Sequence, residues 1–183
     1  MDLIKKCAEV FKNYVGYNYT FILDCNMSVT AMFTSGQFHH LVGLQYLTDI
    51  AQVNVEQPYN STKRIFKNIL NDNITQKLIE SSNFYDNIYE RLLYFTNFDD
   101  IMTAKLIIDF DYTKLPKTKI MSKYLLYKQY DDVYVILGLR YDEKKDIFVP
   151  ETFIVDHSDY YVKDQTSYNV VDVKYSRYKN KRN

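Results

Sequence analysis

The sequence predicts an α+β fold, with N-terminal and central helices packed on a curved antiparallel β-sheet in a single domain. Three observations carry this expectation. Apolar residues recur at helical spacing near the N terminus and again across about residues 60 to 103. From Lys105 onward the pattern changes to runs rich in Val, Ile, Leu, Tyr and Phe separated by short polar turns, as hairpin-connected strands require. A chain of 183 residues that is 46% hydrophobic can bury one sizeable core but not two generous ones.

Taken in order, Leu3, Ile4, Cys7, Val10, Phe11 and Tyr14 mark an amphipathic helix running to about Val15. Tyr17, Tyr19, Phe21, Leu23 and Cys25 then alternate with other residues, as do the positions up to Phe33, and CNMS between them supplies a hairpin turn. QFHHLVGLQYLTDI, residues 37–50, reads as a short apolar helix. After a polar loop, Asn60 or Ser61 can cap a helix with Ile65, Ile69 and Leu70 inward and Lys63, Arg64 and Lys67 outward. Asn73 and Asn83 are expected to cap ITQKLIES and FYDNIYERLLYF. The strands follow as KLIIDFDY, SKYLLYKQY, DVYVILGLRY, DIFVPETFIVD and YNVVDVKY, with DEKKD as a charged hairpin tip. The domain is expected to span 1–175, leaving SRYKNKRN at 176–183 as a basic, frayed tail.

Composition narrows the function classes. With 23 basic and 23 acidic residues, neither disorder nor a surface wholly adapted to nucleic acid follows from the totals. Only four glycines are present, with no GxGxxG or GxxxxGK, so P-loop and Rossmann nucleotide enzymes are excluded. Two cysteines and three histidines show no CxxC or HExxH spacing, and no metal or cofactor is expected. The N terminus lacks a signal-type apolar core, and no run approaches the ~20 apolar residues of a membrane span. A cytoplasmic, reduced protein without membrane association is expected. Richness in Asn, Lys, Ile and Tyr suggests an AT-rich coding sequence, as in low-GC bacteria and their mobile elements. The 19 Tyr belong mostly on core edges and strand faces, though each also offers a hydroxyl and a stacking ring.

His39 and His40 pose a question within the short apolar helix. Adjacent helical side chains point about 100° apart, so only one can serve a given site. His40 shares its face with Leu44 and Leu47, whereas His39 has Gly43 at i+4, which leaves open space beside it.

The fragments FHHLVGL, STKRIFKNILNDNIT, IYERLLYFTNFDDIM, KTKIMSKYLL and VPETFIVDHSDYYVKDQ, in this order over roughly residues 17 to 175, resemble a known family. It is the group of phage-encoded nuclease domains related to barnase, EndoU, colicin-type and RelE-like ribonucleases that carries an HLxGL helix signature. The resemblance implies a compact α+β domain that cuts RNA without a metal. His40, Leu41, Gly43 and Leu44 match the signature, Lys67 a usual basic position, Arg91 the arginine of the ERL segment, and Tyr161 with Gln165 the terminal YxxxQ. Thr152 stands where Ser is expected and keeps the hydroxyl. Lys123 stands where an acidic residue is common and inherits no role.

Metal-free RNA cleavage needs a base for the 2'-hydroxyl, donors or cations for the phosphorane, and an acid for the leaving 5'-oxygen. These tasks point to His40 as general acid or base, with Lys67, Arg64 and Lys63 as cations for phosphate. Arg91 and Gln165 join as substrate-binding residues, Thr152 and Tyr161 as hydrogen-bond donors, and Tyr124 as a stacking ring. Each also has a plainer reading. A histidine beside leucines is often structural, three cations on a helix often form a solvated face, Arg91 can hold an ion pair, and His157 can be a turn residue. The function expected is a metal-independent endoribonuclease of a phage or mobile element. By resemblance of type it is akin to anti-CRISPR proteins that truncate the guide RNA of an effector nuclease, so RNA and that effector are the expected partners. A non-catalytic inhibitor that blocks nucleic-acid access and a toxin-like RNase are the alternatives.

Overall fold

Asp2 starts the first helix by accepting a hydrogen bond from Lys5 N (2.9 Å), and α1 (Leu3–Lys12) buries Leu3, Ile4, Cys7, Ala8 and Phe11. In the computed structural model, which describes residues 2–115, 118 and 120–178, helices and strands fall into two units. Met1–Val15 with Thr34–Asp99 is helical, and Gly16–Phe33 with Asp100–Asn183 carries the strands.

The helical unit continues with α2 (Phe38–Leu41), α3 (Thr62–Leu70), α4 (Gln76–Glu80), α5 (Asp86–Phe95) and the start of α6 (Phe98–Met102). Its core is aromatic. Phe11 lies with ring centroids 5.7 Å from Phe38, 6.1 Å from Phe66, 6.0 Å from Phe95 and 5.6 Å from Phe98. Each such ring contributes roughly 1.5–3 kcal/mol by leaving water, so the aromatic hub outweighs the intrinsic propensity of these short helices.

Three expectations are corrected here. The helix over 37–50 stops after Leu41, because Gly43 adopts a left-handed backbone (φ 85°) and the chain restarts as a 3₁₀ turn, Leu44–Tyr46. Thr75, not Asn73, caps α4, because the helix begins at Gln76 and the Thr75 hydroxyl accepts from Leu78 N (3.4 Å). Asn83 does not cap α5. Its backbone and side-chain nitrogens donate to Asp49 (2.9 and 3.2 Å), and the helix starts at Asp86. Ser61 caps α3 as one of the two expected residues, accepting from Arg64 N.

The second unit holds β1 (Tyr17–Leu23), β2 (Ser28–Met32), β3 (Leu106–Asp109), β4 (Tyr124–Tyr130), β5 (Val133–Asp142), β6 (Ile147–Asp156) and β7 (Thr166–Arg177). Hydrogen bonding runs β1-β2-β6-β5-β4-β3-β7 and closes back on β1 as a barrel. The α+β fold stands as expected; the sheet is antiparallel in its other pairings and is made mixed by β2 and β6, which meet in parallel at Ala31 and Phe148. Closure comes from the 12-residue β7, long enough to pair with β3 through Leu106–Asp109 and with β1 through Tyr17–Leu23. Ser176 and Arg177 of the expected tail belong to β7, and Tyr178 N bonds Gly16 O (2.8 Å). Residues 179–183 lie outside the described residues.

Candidate functional site

The two histidines of α2 divide as adjacent helical positions must. His39 turns inward, is 4% exposed, and donates from Nε2 to the Val53 carbonyl (2.8 Å). Burial pushes its imidazole below the ordinary 6.5, and the neighbouring His40 adds in the same direction against the opposing pull of the carbonyl. His40 is exposed. The open space expected at Gly43 is in fact filled from α5 and the Leu44–Tyr46 turn: a Cβ there would meet Ile88 Cγ2 at 2.8 Å, Tyr46 Cδ2 at 3.2 Å and Arg91 Nη1 at 3.3 Å. Only glycine, with its left-handed backbone and missing side chain, lets the turn after His40 close on Arg91.

Arg91 is half-buried, with its guanidinium carbon 5.5 Å from the centre of the Tyr46 ring and a side-chain hydrogen bond to Tyr46. Burial lowers its pKa, and Tyr46 only partly offsets that. Among the described residues no carboxylate pairs with it, so the plain reading of a helix arginine held in an ion pair does not describe it. A partly desolvated cation without a counter-charge favours binding an anion.

From the other side α3 packs on α2, with Phe38 and Phe66 rings 5.0 Å apart. A Cβ at Gly36, just before α2, would lie 3.1 Å from Thr62 Oγ1 and 3.8 Å from Lys63 Cγ. Lys63, Arg64 and Lys67 are all exposed, and Arg64 Nη1 donates to the Tyr59 carbonyl (3.0 Å). Arg91 thus lies at the turn after α2, and the start of α3, with Lys63, lies at the residue before it.

The remaining expected residues belong to the barrel unit. Thr152 pairs with Gly138 and is half-buried, its methyl pressed against that glycine. Tyr124 meets Phe148 edge-on at 5.1 Å and carries Lys123 Nζ 5.7 Å from its ring centre, and burial raises its pKa. Lys123 itself pairs with Asp109. Tyr161 packs on the cluster of Ile108, Phe110, Leu125 and Ile136, with its hydroxyl pKa raised first by burial and then by Asp156. Gln165 spends both ends of its amide on the backbone of Asp111 (2.9 and 3.3 Å).

Two polar groups escaped the sequence reading. Tyr46, which seats Arg91, follows the glycine of the signature by three residues but has no motif of its own. Glu151 is the extra residue of a bulge, between the pairs Gly138–Thr152 and Leu139–Pro150, and its carboxylate takes the Ser122 hydroxyl (3.0 Å) and Arg140 Nε (3.0 Å). The signal was Pro150, which cannot donate to a ladder and so marks an irregular strand.

A family model described as phage-Barnase-EndoU-ColicinE5/D-RelE like nuclease4 matches residues 3–183. No curated protein and no solved structure matches the chain.

Proposed function

We propose that this chain, which belongs to the phage-Barnase-EndoU-ColicinE5/D-RelE like nuclease family, is an endoribonuclease that cleaves by transesterification through the ribose 2'-hydroxyl and needs no metal ion. Family membership makes it a nuclease with a nucleic-acid substrate. The observation that supports the finer reading is Arg91, a half-buried cation with no carboxylate partner among the described residues, drawn against the turn that carries His40. A phosphorane gains negative charge on the way from the diester, so a preorganised guanidinium stabilises it more than the ground state. An imidazole at position 40, on the surface, is the kind of group that can take a proton from the 2'-hydroxyl or give one to the leaving oxygen. Lys67, Lys63 and Arg64 supply further cations for the RNA backbone. The roles expected of Thr152, Tyr161 and Gln165 rest on the resemblance alone, and that of Tyr124 on the stacking capacity of its ring.

Within RNA, the target carried forward is the guide RNA of a CRISPR effector nuclease, met in the cytoplasm of a bacterial host. The test incubates purified protein with labelled guide RNA, alone and loaded in its effector, and with an unrelated structured RNA, all in excess EDTA. Defined cleavage products are expected, reduced at least ~10²-fold in His40→Ala and also reduced in Arg91→Met. Cleavage that requires Mg²⁺ sinks the mechanism. Intact guide RNA in an inhibited effector supports the occluding inhibitor instead, and equal cutting of all RNAs removes the guide as the specific target.

A further inference from the structure

Tyr175 of β7 is 70% exposed, although its neighbours hold it in place. In the β1–β7 register, Tyr19 stands opposite Tyr175 and Tyr17 opposite Arg177. The Tyr175 ring stacks on Tyr19 (centroids 5.8 Å, 29° between planes) and meets Tyr17 edge-on (6.0 Å, 76°). Arg177, two residues further and therefore on the same strand face, places its guanidinium carbon 6.0 Å from the centre of the Tyr17 ring. Three tyrosines and an arginine thus form one continuous platform across two strands.

Cross-strand aromatic pairing explains the half-buried Tyr17 and Tyr19, since such pairs stabilise a sheet. It does not explain why the outermost ring is left mostly in water, where it gains little from burial. A ring made rigid by stacking on one face, wet on the other, and flanked by a guanidinium is suited to a nucleobase and its phosphate. Base–aromatic stacking is tolerant of sequence, and only unpaired bases offer a π-face to it.

We infer that this face of the barrel unit binds a single-stranded segment of RNA, with one base on the outer face of Tyr175 and the adjoining phosphate on Arg177. The inference takes its ligand class from the nuclease reading but not its chemistry. It makes an unpaired stretch part of what the protein selects.

The experiment measures binding with the full chain carrying His40→Ala, in EDTA, against a short labelled single-stranded oligoribonucleotide and the duplex of the same sequence. Tyr175→Ala is expected to weaken single-strand binding roughly 5- to 150-fold while leaving duplex binding unchanged, and Tyr175→Phe to retain most of the affinity. The chain has no Trp, so Tyr175→Trp introduces a single indole whose emission should be quenched by the single strand. Unchanged affinity in Tyr175→Ala, an equal loss on duplex, or an unquenched indole each overturns the proposal. Tyr175-dependent binding in a wild-type protein that cuts no RNA upholds this face and sinks the nuclease chemistry. Cutting with no dependence on Tyr175 in either binding or rate does the reverse.

Discussion

A methyl group at position 43 would stand 2.8 Å from Ile88 Cγ2 and 3.3 Å from Arg91 Nη1, on a backbone at φ 85°. Gly43→Ala therefore combines left-handed strain with overpacking and should cost roughly 2–4 kcal/mol, read as a lower urea midpoint. Because the same contact seats Arg91, nuclease activity should fall by more than the lost folded fraction accounts for. His39 gives the residue scale a pH signature. Burial holds its folded-state pKa below the ordinary 6.5, so the unfolded chain takes up the proton more readily. Its contribution is complete above 6.5 and is lost as the pH falls below that value. The urea midpoint should thus decline between about pH 7 and about pH 5.5, and less steeply in His39→Gln.

Among elements, β5 is pinned between its neighbours at Gly138. A side chain there would run into the Ser122 hydroxyl ahead of β4 and the Thr152 methyl of β6, the latter at 2.6 Å. The bulge that follows at Gly138/Leu139 is what turns Glu151 toward Ser122 and Arg140. Gly138→Ala should destabilise by roughly 1–3 kcal/mol. Combined with Ser122→Gly it should cost less than the sum of the two single changes, since the two sites share one contact. Chemical denaturation of the four proteins tests this directly. The helices show the opposite economy: α2 has only four residues and is held by Phe38 against Phe11 and Phe66, not by its own hydrogen bonds.

For the whole molecule, β7 decides whether the strands form a barrel or an open sheet. It bonds to β1 on one side and to β3 on the other, so a chain ending at Gln165 would expose two unpaired strand edges. Such a truncation should lose cooperative unfolding and self-associate, seen as a broad thermal transition and early elution on gel filtration. A substitution at the exposed Tyr175 should leave both measurements unchanged, which separates a structural from a binding role for the β7 face. The formal net charge is zero, so attraction to a nucleic acid must come from local groupings such as the α3 cations and Arg177.

Local pattern was enough for the succession of elements. Helical spacing found α1 and the central helices, alternation found β1 and β2, apolar runs between polar turns found β3 to β7, and Ser61 was one of two expected caps, because these depend on a few neighbouring side chains. The HLVGL signature and the ERL arginine were legible as residues, and their family was legible in the order of the fragments. What tertiary structure alone decided is which contacts those residues make. The break of the 37–50 helix at Gly43, the inward turn of His39, the seating of Arg91 on Tyr46, and the parallel contact that makes the sheet mixed all depend on partners distant in sequence. Spacing along a chain fixes the direction a side chain takes from its own backbone, whereas burial and counter-charge belong to whatever the fold brings opposite it.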